Sequence, residues 1–120
     1  MQMQHSDQEG FVILEINEAR INANNAQELK RYIEQLVSLG RRRVLIGVDK
    51  VNFVDSTGLG ALVACLKLVG RDGAFVLCGA TPPVMSLLKL TQMDRVLRNF
   101  ATIERALESL TDRTSESKHD

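Results

Sequence analysis

The sequence predicts an α/β domain: a mixed, mostly parallel sheet of four to five strands with about four helices packed on it. Three observations lead there. Apolar runs rich in β-formers, at 11–16, 44–48 and 74–78, alternate with longer segments of helical periodicity, and that alternation implies parallel crossovers. The runs VLIGV and AFVLC lack polar alternation, as expected of interior strands covered on both faces. The 120 residues suit one domain and suffice for a core that needs no staples.

Taken in order, Phe11–Ile16 reads as a strand preceded by the turn-like cluster Asp7-Gln8-Glu9-Gly10. Residues 1–6 are expected as a short edge strand beside it. Arg20-Ile21-Asn22 makes one more extended step, and a helix follows from Asn24 or Asn25 as N-cap. Ala26, Leu29, Ile33, Leu36 and Val37 recur at helical spacing, and Gly40 ends the helix. The three arginines 41–43 read as a solvated linker beside a helix C-terminus in preference to an anion-binding patch.

After the strand at 44–48 comes the run Val51-Asn52-Phe53-Val54-Asp55-Ser56-Thr57-Gly58-Leu59-Gly60, then a helix over 57–69. Leu59, Leu62, Val63, Leu66 and Val69 are expected to face the sheet, with Ala61, Ala64, Cys65 and Leu68 on the other side. A helix apolar nearly all round is either wholly buried or keeps a face for a partner. Gly70-Arg71-Asp72-Gly73 stops it, and Ala74–Cys78 is the next strand. Thr81 then caps a helix with Pro82 and Pro83 in its first turn, and Val84, Leu87, Leu88 and Leu90 or Thr91 form its buried stripe. Residues 93–100 read as a turn and a short final strand. Ala101 or Thr102 opens a last helix carrying Ile103, Ala106, Leu107 and Leu110. One domain over 1–110 is expected, with a disordered polar tail over 111–120, which has no apolar residue.

Composition narrows the function classes. Lys plus Arg and Asp plus Glu number 15 each, so no overall field draws the chain to nucleic acid or to an anionic membrane. Residues 1–10 have no apolar core, so no signal peptide is expected. The apolar stretch 59–69 is interrupted by Lys67 and too short to span a bilayer. A soluble, cytoplasmic protein is expected. Cys65 and Cys78 lie in apolar runs without metal-ligand spacing and read as buried, reduced thiols. His5 and His119 sit in polar terminal segments, and no nucleophile–base pair, metal cluster or cofactor motif emerges. Catalysis is not expected.

The chemistry is concentrated where strand meets helix. Ser56 or Thr57 is expected at or next to the N-cap of the second helix, with Asp55 adding to the capping. Free N–H groups and the helix dipole favour a negative group there. A phosphate on the hydroxyl adds roughly −1.5 to −2 charges and three acceptor oxygens, altering the outer surface without unfolding the domain. Gly58 and Gly60 each cost about 0.5–1 kcal/mol against alanine inside a helix, which points to close approach or unusual backbone. On spacing alone an ordinary cap explains D-S-T-G better than a phosphorylation site, which is only a candidate.

The run Val54-Asp55-Ser56-Thr57-Gly58-Leu59-Gly60, followed by Thr81-Pro82-Pro83-Val84 and Leu87-Leu88-Lys89-Leu90-Thr91, resembles the STAS domain. More narrowly it is similar to the stand-alone bacterial anti-sigma factor antagonists. The likeness covers residues 11–110 in element order. It implies a STAS-like sheet and a phosphorylated serine directly after the aspartate, which is Ser56. It implies as partners a serine kinase with a histidine-kinase-type ATPase fold, which doubles as the anti-sigma factor, and a PP2C-type phosphatase. Unphosphorylated, such an antagonist binds the kinase and frees its client. The implied docking face comprises Asn22, Asp55, Ser56, Thr57, Gly58, Leu59 and Thr81, on a monomer or weak dimer. This chain has Asn22 where the family often has aspartate, and Gln92 where glycine is common.

Two other classes share parts of this pattern. A non-switching STAS subunit of a transporter or signalling complex has the same surface. A receiver-type phospho-acceptor domain has similar length, but Glu18 lacks an acidic neighbour and no strand-ending lysine follows the last strand.

Overall fold

The computed structural model describes residues 1–117, with side chains through Thr111. The edge strand β1 (Met3–Gln8) pairs antiparallel with β2 (Phe11–Ile16) along its whole length. Glu9 and Gly10, at φ 52° and 84°, form a two-residue turn in which both residues take positive φ, the form that matches strand twist. Only two residues are needed for it, so Asp7 and Gln8 join the ladder, and β1 lies two residues later than the expected 1–6.

The remaining elements are β3 (Arg20–Ile21), α1 (Ala26–Ser38), β4 (Arg43–Gly47), β5 (Phe53–Val54), α2 (Ser56–Val69), β6 (Ala74–Cys78), α3 (Pro82–Leu90), a 3-10 turn (Met93–Arg95), β7 (Asn99–Phe100) and α4 (Ile103–Ser117). The main sheet has the order β1-β2-β4-β6-β7. All its pairs except β1–β2 are parallel, so the mixed, mostly parallel five-stranded sheet with four helices is as expected. β3 and β5 form a separate parallel pair, Arg20 opposite Phe53 and Ile21 opposite Val54.

The sheet is covered on both faces, which explains its unbroken apolar strands. Val12, Leu14, Ile16, Val44, Ile46, Val48, Phe75 and Leu77 point into one core, shared with α1, α2 and α3. Their strand neighbours Phe11, Ile13, Leu45, Val76 and Cys78 point the other way, onto Ala106, Leu107 and Leu110 of α4. Successive side chains of a strand alternate in face, so two covering layers demand apolar residues at every position.

The helix faces differ from expectation in two places. In α2 the buried residues are Gly58, Ala61, Leu62, Cys65 and Val69, while Leu59, Val63 and Leu66 are only half-buried. The helix is turned so that Gly58, Ala61 and Cys65 meet the body beside Leu62 and Val69, because α2 packs closely on both α1 and the β3–β5 pair. In α3 the buried residues are Val84 and Leu88, and Leu90 is 84% exposed. The last helix continues to Ser117, past the Leu110 boundary expected from composition. A helix already nucleated by its packed turns gains a hydrogen bond for each residue it adds, which polar residues supply as well as apolar ones. Residues 118–120 of the expected tail lie outside the described residues.

The arginine run is used internally. Arg41 pairs with Asp7 at 2.6 Å, and Arg42 Nη1 donates to the Val69 carbonyl at 3.0 Å, at the C-terminal end of α2. The Arg43 guanidinium lies 4.2 Å from the centre of the Phe11 ring. The hydrogen bond from Arg41 holds the Asp7 carboxyl below its ordinary value. Three arginines with three separate duties do not form an anion site.

Candidate functional site

Asp55, not Ser56 or Thr57, is the N-cap of α2. Its backbone is extended, and its Oδ1 accepts from Gly58 N at 2.7 Å. Its other oxygen accepts from Ala23 N at 3.2 Å, tying the loop before α1 to the start of α2. The first helical bond runs from Leu59 N to the Asp55 carbonyl at 2.9 Å. The Asp55 carboxylate satisfies a free amide of the first turn and sets its charge beside the positive end of the helix. Ser56 and Thr57 therefore occupy the first two helical positions. Both are exposed, and among the described residues neither hydroxyl makes a hydrogen bond.

Gly58 is required by close packing. A Cβ there would stand 2.3 Å from the Ile21 carbonyl oxygen and 3.0 Å from Val54 Cγ1. The helix start thus sits directly on the β3–β5 pair, which presents the serine at a fixed place. Gly60 is the opposite case: it is exposed, and nothing lies within 4 Å of where its Cβ would be. Nothing inside the molecule calls for a glycine at that position.

From Ser56 an apolar groove runs along α2. It is lined by Ser56, Leu59, Gly60, Val63, Ala64 and Lys67, with Thr91 and Met93 on the facing wall. Val63, Ala64, Lys67, Thr91 and Met93 are the residues that the sequence did not single out. The signal was the apolar character of α2 on all sides. Periodicity puts Val63 on the buried face, whereas the structure turns it onto the groove.

The structure puts Asn22 beside this site without placing it in the groove. Its Oδ1 accepts from Asn24 N at 3.0 Å and its carbonyl accepts from Ala26 N at 2.8 Å. Asn25, at the N-cap position of α1, makes no side-chain cap; its Oδ1 instead accepts from Asn22 N at 2.9 Å and its Nδ2 donates to the Arg20 carbonyl at 2.8 Å. Thr81 holds the N-cap position of α3, yet its hydroxyl donates to the Val51 carbonyl at 2.7 Å. These side chains brace the loops that flank the serine.

Other chemistry is sparse. Burial raises the thiols of Cys65 and Cys78 to about 12, which leaves both unreactive in the folded chain. Among the described residues no group of three or more His, Cys, Asp or Glu side chains is placed to hold a metal ion. No helix of the described residues is long and apolar enough to cross a membrane. A separate cleft of about 260 Å³ lies at the C-terminal ends of β2, β4 and β6, bordered by Glu15, Asp49 and Glu104. Glu104 lies in the first turn of α4, where a carboxylate complements the helix dipole.

A mixed sheet flanked by helices on both faces, with an exposed serine following the cap of a tightly seated helix, defines a small α/β domain. Residues 2–106 match the STAS domain family, and the chain belongs to that family. It is 32% identical over 107 residues to a Thermotoga neapolitana protein whose name proposes it as an anti-sigma factor antagonist, covering 88% of this chain and 94% of that one. The crystal structure of a Thermotoga maritima protein proposed as the same kind of antagonist superposes with a TM-score of 0.81 at 26% identity, over 89% of this chain and 92% of that one. The anti-sigma factor antagonist SpoIIAA in its unphosphorylated form has the same fold, with a TM-score of 0.77 at 14% identity over 92% of this chain and 97% of its own.

Proposed function

We propose that this protein is a cytoplasmic anti-sigma factor antagonist, a protein-binding module switched by phosphorylation of Ser56. The observation that carries the reading is the position of that residue. Its hydroxyl is exposed, has no partner among the described residues, and stands at the mouth of the apolar groove along α2. The names of the relatives support the antagonist role. The partner in this reading is a serine kinase of histidine-kinase-type ATPase fold that also holds a sigma factor or other client. Unphosphorylated, the module occupies the kinase and the client is freed. A PP2C-type phosphatase returns the modified protein to the binding form.

The physical basis of the switch is local. A phosphate at the first position of α2 is favoured by the helix dipole and by the free amides there, so the fold survives modification. On the outside, the same phosphate places about two negative charges beside apolar surface that a partner must cover, and desolvating it opposes docking. Asp55, Thr57, Gly58 and Leu59 set the geometry of this face, and the Asn22 and Thr81 loops border it. The chain acts by binding, not by catalysis, as a monomer or weak dimer and without a cofactor.

The test is direct. Protein isolated from its own cell carries one phosphate by intact mass, and peptide mapping places it on Ser56. The Ser56→Ala form binds the kinase constitutively, while Ser56→Asp loses binding by tenfold or more, a threshold of about 1.4 kcal/mol. Equal binding by the two variants would remove the switch.

A further inference from the structure

Beyond the mouth at Ser56, the outer face of α2 carries a second apolar groove, lined by Leu66, Lys67, Gly70 and Arg71. Lys67 borders both grooves, and Leu59, Val63, Leu66 and Gly70 recur at helical spacing on one side of α2, so the two grooves lie end to end as a trough along the helix. With 14 residues in α2, it is about 21 Å long at 1.5 Å per residue. Its two ends differ in chemistry. Ser56 stands at one end, with Leu59, Val63 and Met93 next to it, and Lys67 and Arg71 stand at the other. No acidic residue lines either groove. Lys67 and Arg71 are exposed, and among the described residues neither forms an ion pair. Asp72 and Asp94, neighbours in sequence of Arg71 and Met93, line neither groove.

We propose that this trough binds an amphipathic helix of the protein partner, about four turns long, with its apolar stripe on Leu59, Val63 and Met93 and with Asp or Glu residues over Lys67 and Arg71. The proposal rests on the partner-binding reading of Ser56 and specifies what that partner presents. A helix suits the trough because α2 satisfies its own backbone groups and offers no strand edge, which leaves side-chain packing in a groove as the mode of recognition. Gly60, with empty space where a Cβ would be, and Ala64 one turn on allow close approach of two helices. A second copy of this chain docked groove to groove would offer Lys67 and Arg71 no carboxylate, because no acidic residue lines either groove. Two cations on a chain of net charge zero are also a poor match for an anionic lipid surface.

The cationic end and the serine act independently. Lys67 lies eleven residues along the helix from Ser56, about 16 Å, beyond the Debye length of about 8 Å at physiological salt. The phosphate opposes docking at the apolar end, and the cations select an acidic partner at the other.

The test uses the full-length protein with a photo-crosslinking amino acid at Val63 or Ala64, irradiated in its native cell, and the joined peptide is sequenced. The expected peptide belongs to another protein, has apolar residues at i, i+3 or i+4 and i+7, and carries Asp or Glu near the residue joined. The doubly charge-reversed form Lys67→Glu/Arg71→Glu then binds that protein about tenfold more weakly, more so at low salt. Changing the partner's acidic residues to lysine restores binding. A joined peptide from this chain itself, a joined lipid, a peptide without acidic residues, or no cross-link from either position overturns the proposal. Ser56→Asp is measured beside it. If Ser56→Asp abolishes binding and charge reversal leaves it intact, only the helix proposal fails. If charge reversal acts and Ser56→Asp does not, the phosphorylation switch fails and the trough stands.

Discussion

Gly58 and Gly60 sit two residues apart at the start of the same helix, and replacing each by alanine should move stability in opposite directions. At Gly58 the new Cβ would meet a backbone carbonyl, Ile21 O at 2.3 Å, as well as Ile21 C at 2.9 Å and Val54 Cγ1 at 3.0 Å. Backbone cannot rotate aside as a flexible side chain does. Either the contact is compressed, at the overpacking cost of about 1–3 kcal/mol, or α2 moves and loses the charge-assisted bond from Gly58 N to Asp55, worth about 1.5–3 kcal/mol. Helix propensity returns about 0.5–1 kcal/mol, so Gly58→Ala should be less stable by about 1–2 kcal/mol. At Gly60 nothing opposes the methyl group, and the same propensity should leave Gly60→Ala more stable by about 0.5–1 kcal/mol. Urea unfolding followed by far-UV circular dichroism reads both. The midpoints should fall on opposite sides of the parent with unchanged m-values. Thermal midpoints should shift by about 2–8 °C per kcal/mol for a chain of this size. A Gly58→Ala protein as stable as Gly60→Ala would refute the close seating of α2 on β3.

Two further outcomes follow from other parts of the molecule. Asp55→Ala removes the cap at Gly58 and the tie to Ala23 together, and should cost about 1–2 kcal/mol in urea unfolding; Asp55→Asn, which keeps one acceptor oxygen, should cost less. Cys65 and Cys78, raised by burial to about 12, should resist a thiol reagent at pH 8 in the folded protein and both react in urea. Because the unfolded thiols ionise near 9 and the folded ones near 12, the unfolded state loses its protons first. Stability should therefore be whole below pH 9 and fall between pH 9 and 12, by at most about 1.4 kcal/mol per pH unit for each thiol. Replacing Cys65 by alanine should flatten that alkaline slope, and an unchanged slope would exclude its contribution.

Much of this molecule was legible because local and global signals agree. Three apolar runs mark strands, and the requirement that both sheet faces be covered explains why the two interior ones, 44–48 and 74–78, show no alternation. The turn residue Gly10, the stop at Gly40 and the prolines of α3 each act within a few residues of chain, so spacing alone placed the element ends closely. The D-S-T-G run marked Ser56 as exposed at a helix start for the same reason. The errors fell where a residue's role is set by distant chain. Which face of α2 is buried depends on the approach of Ile21, thirty-seven residues before Gly58, and periodicity cannot rank faces on a helix that is apolar all round. That is why periodicity alone puts Val63 and Leu66 inward, while the fold leaves both half-exposed along the grooves.

By itself, then, the sequence determined the α/β class, the order of its elements and the serine at the strand-to-helix join, since each of these is written in side chains close together along the chain. Only the tertiary structure decided the rest. Asp55 is a tie between loops as well as a cap, because its second oxygen finds Ala23 across a loop; Gly58 is an internal necessity and Gly60 is not, because one faces Ile21 and the other faces nothing. The arginines 41–43 are spent on Asp7, Val69 and Phe11. The trough from Ser56 to Arg71 exists because α2 seats Gly58, Ala61, Leu62, Cys65 and Val69 inward, leaving Leu59, Val63 and Leu66 half-exposed on the outside.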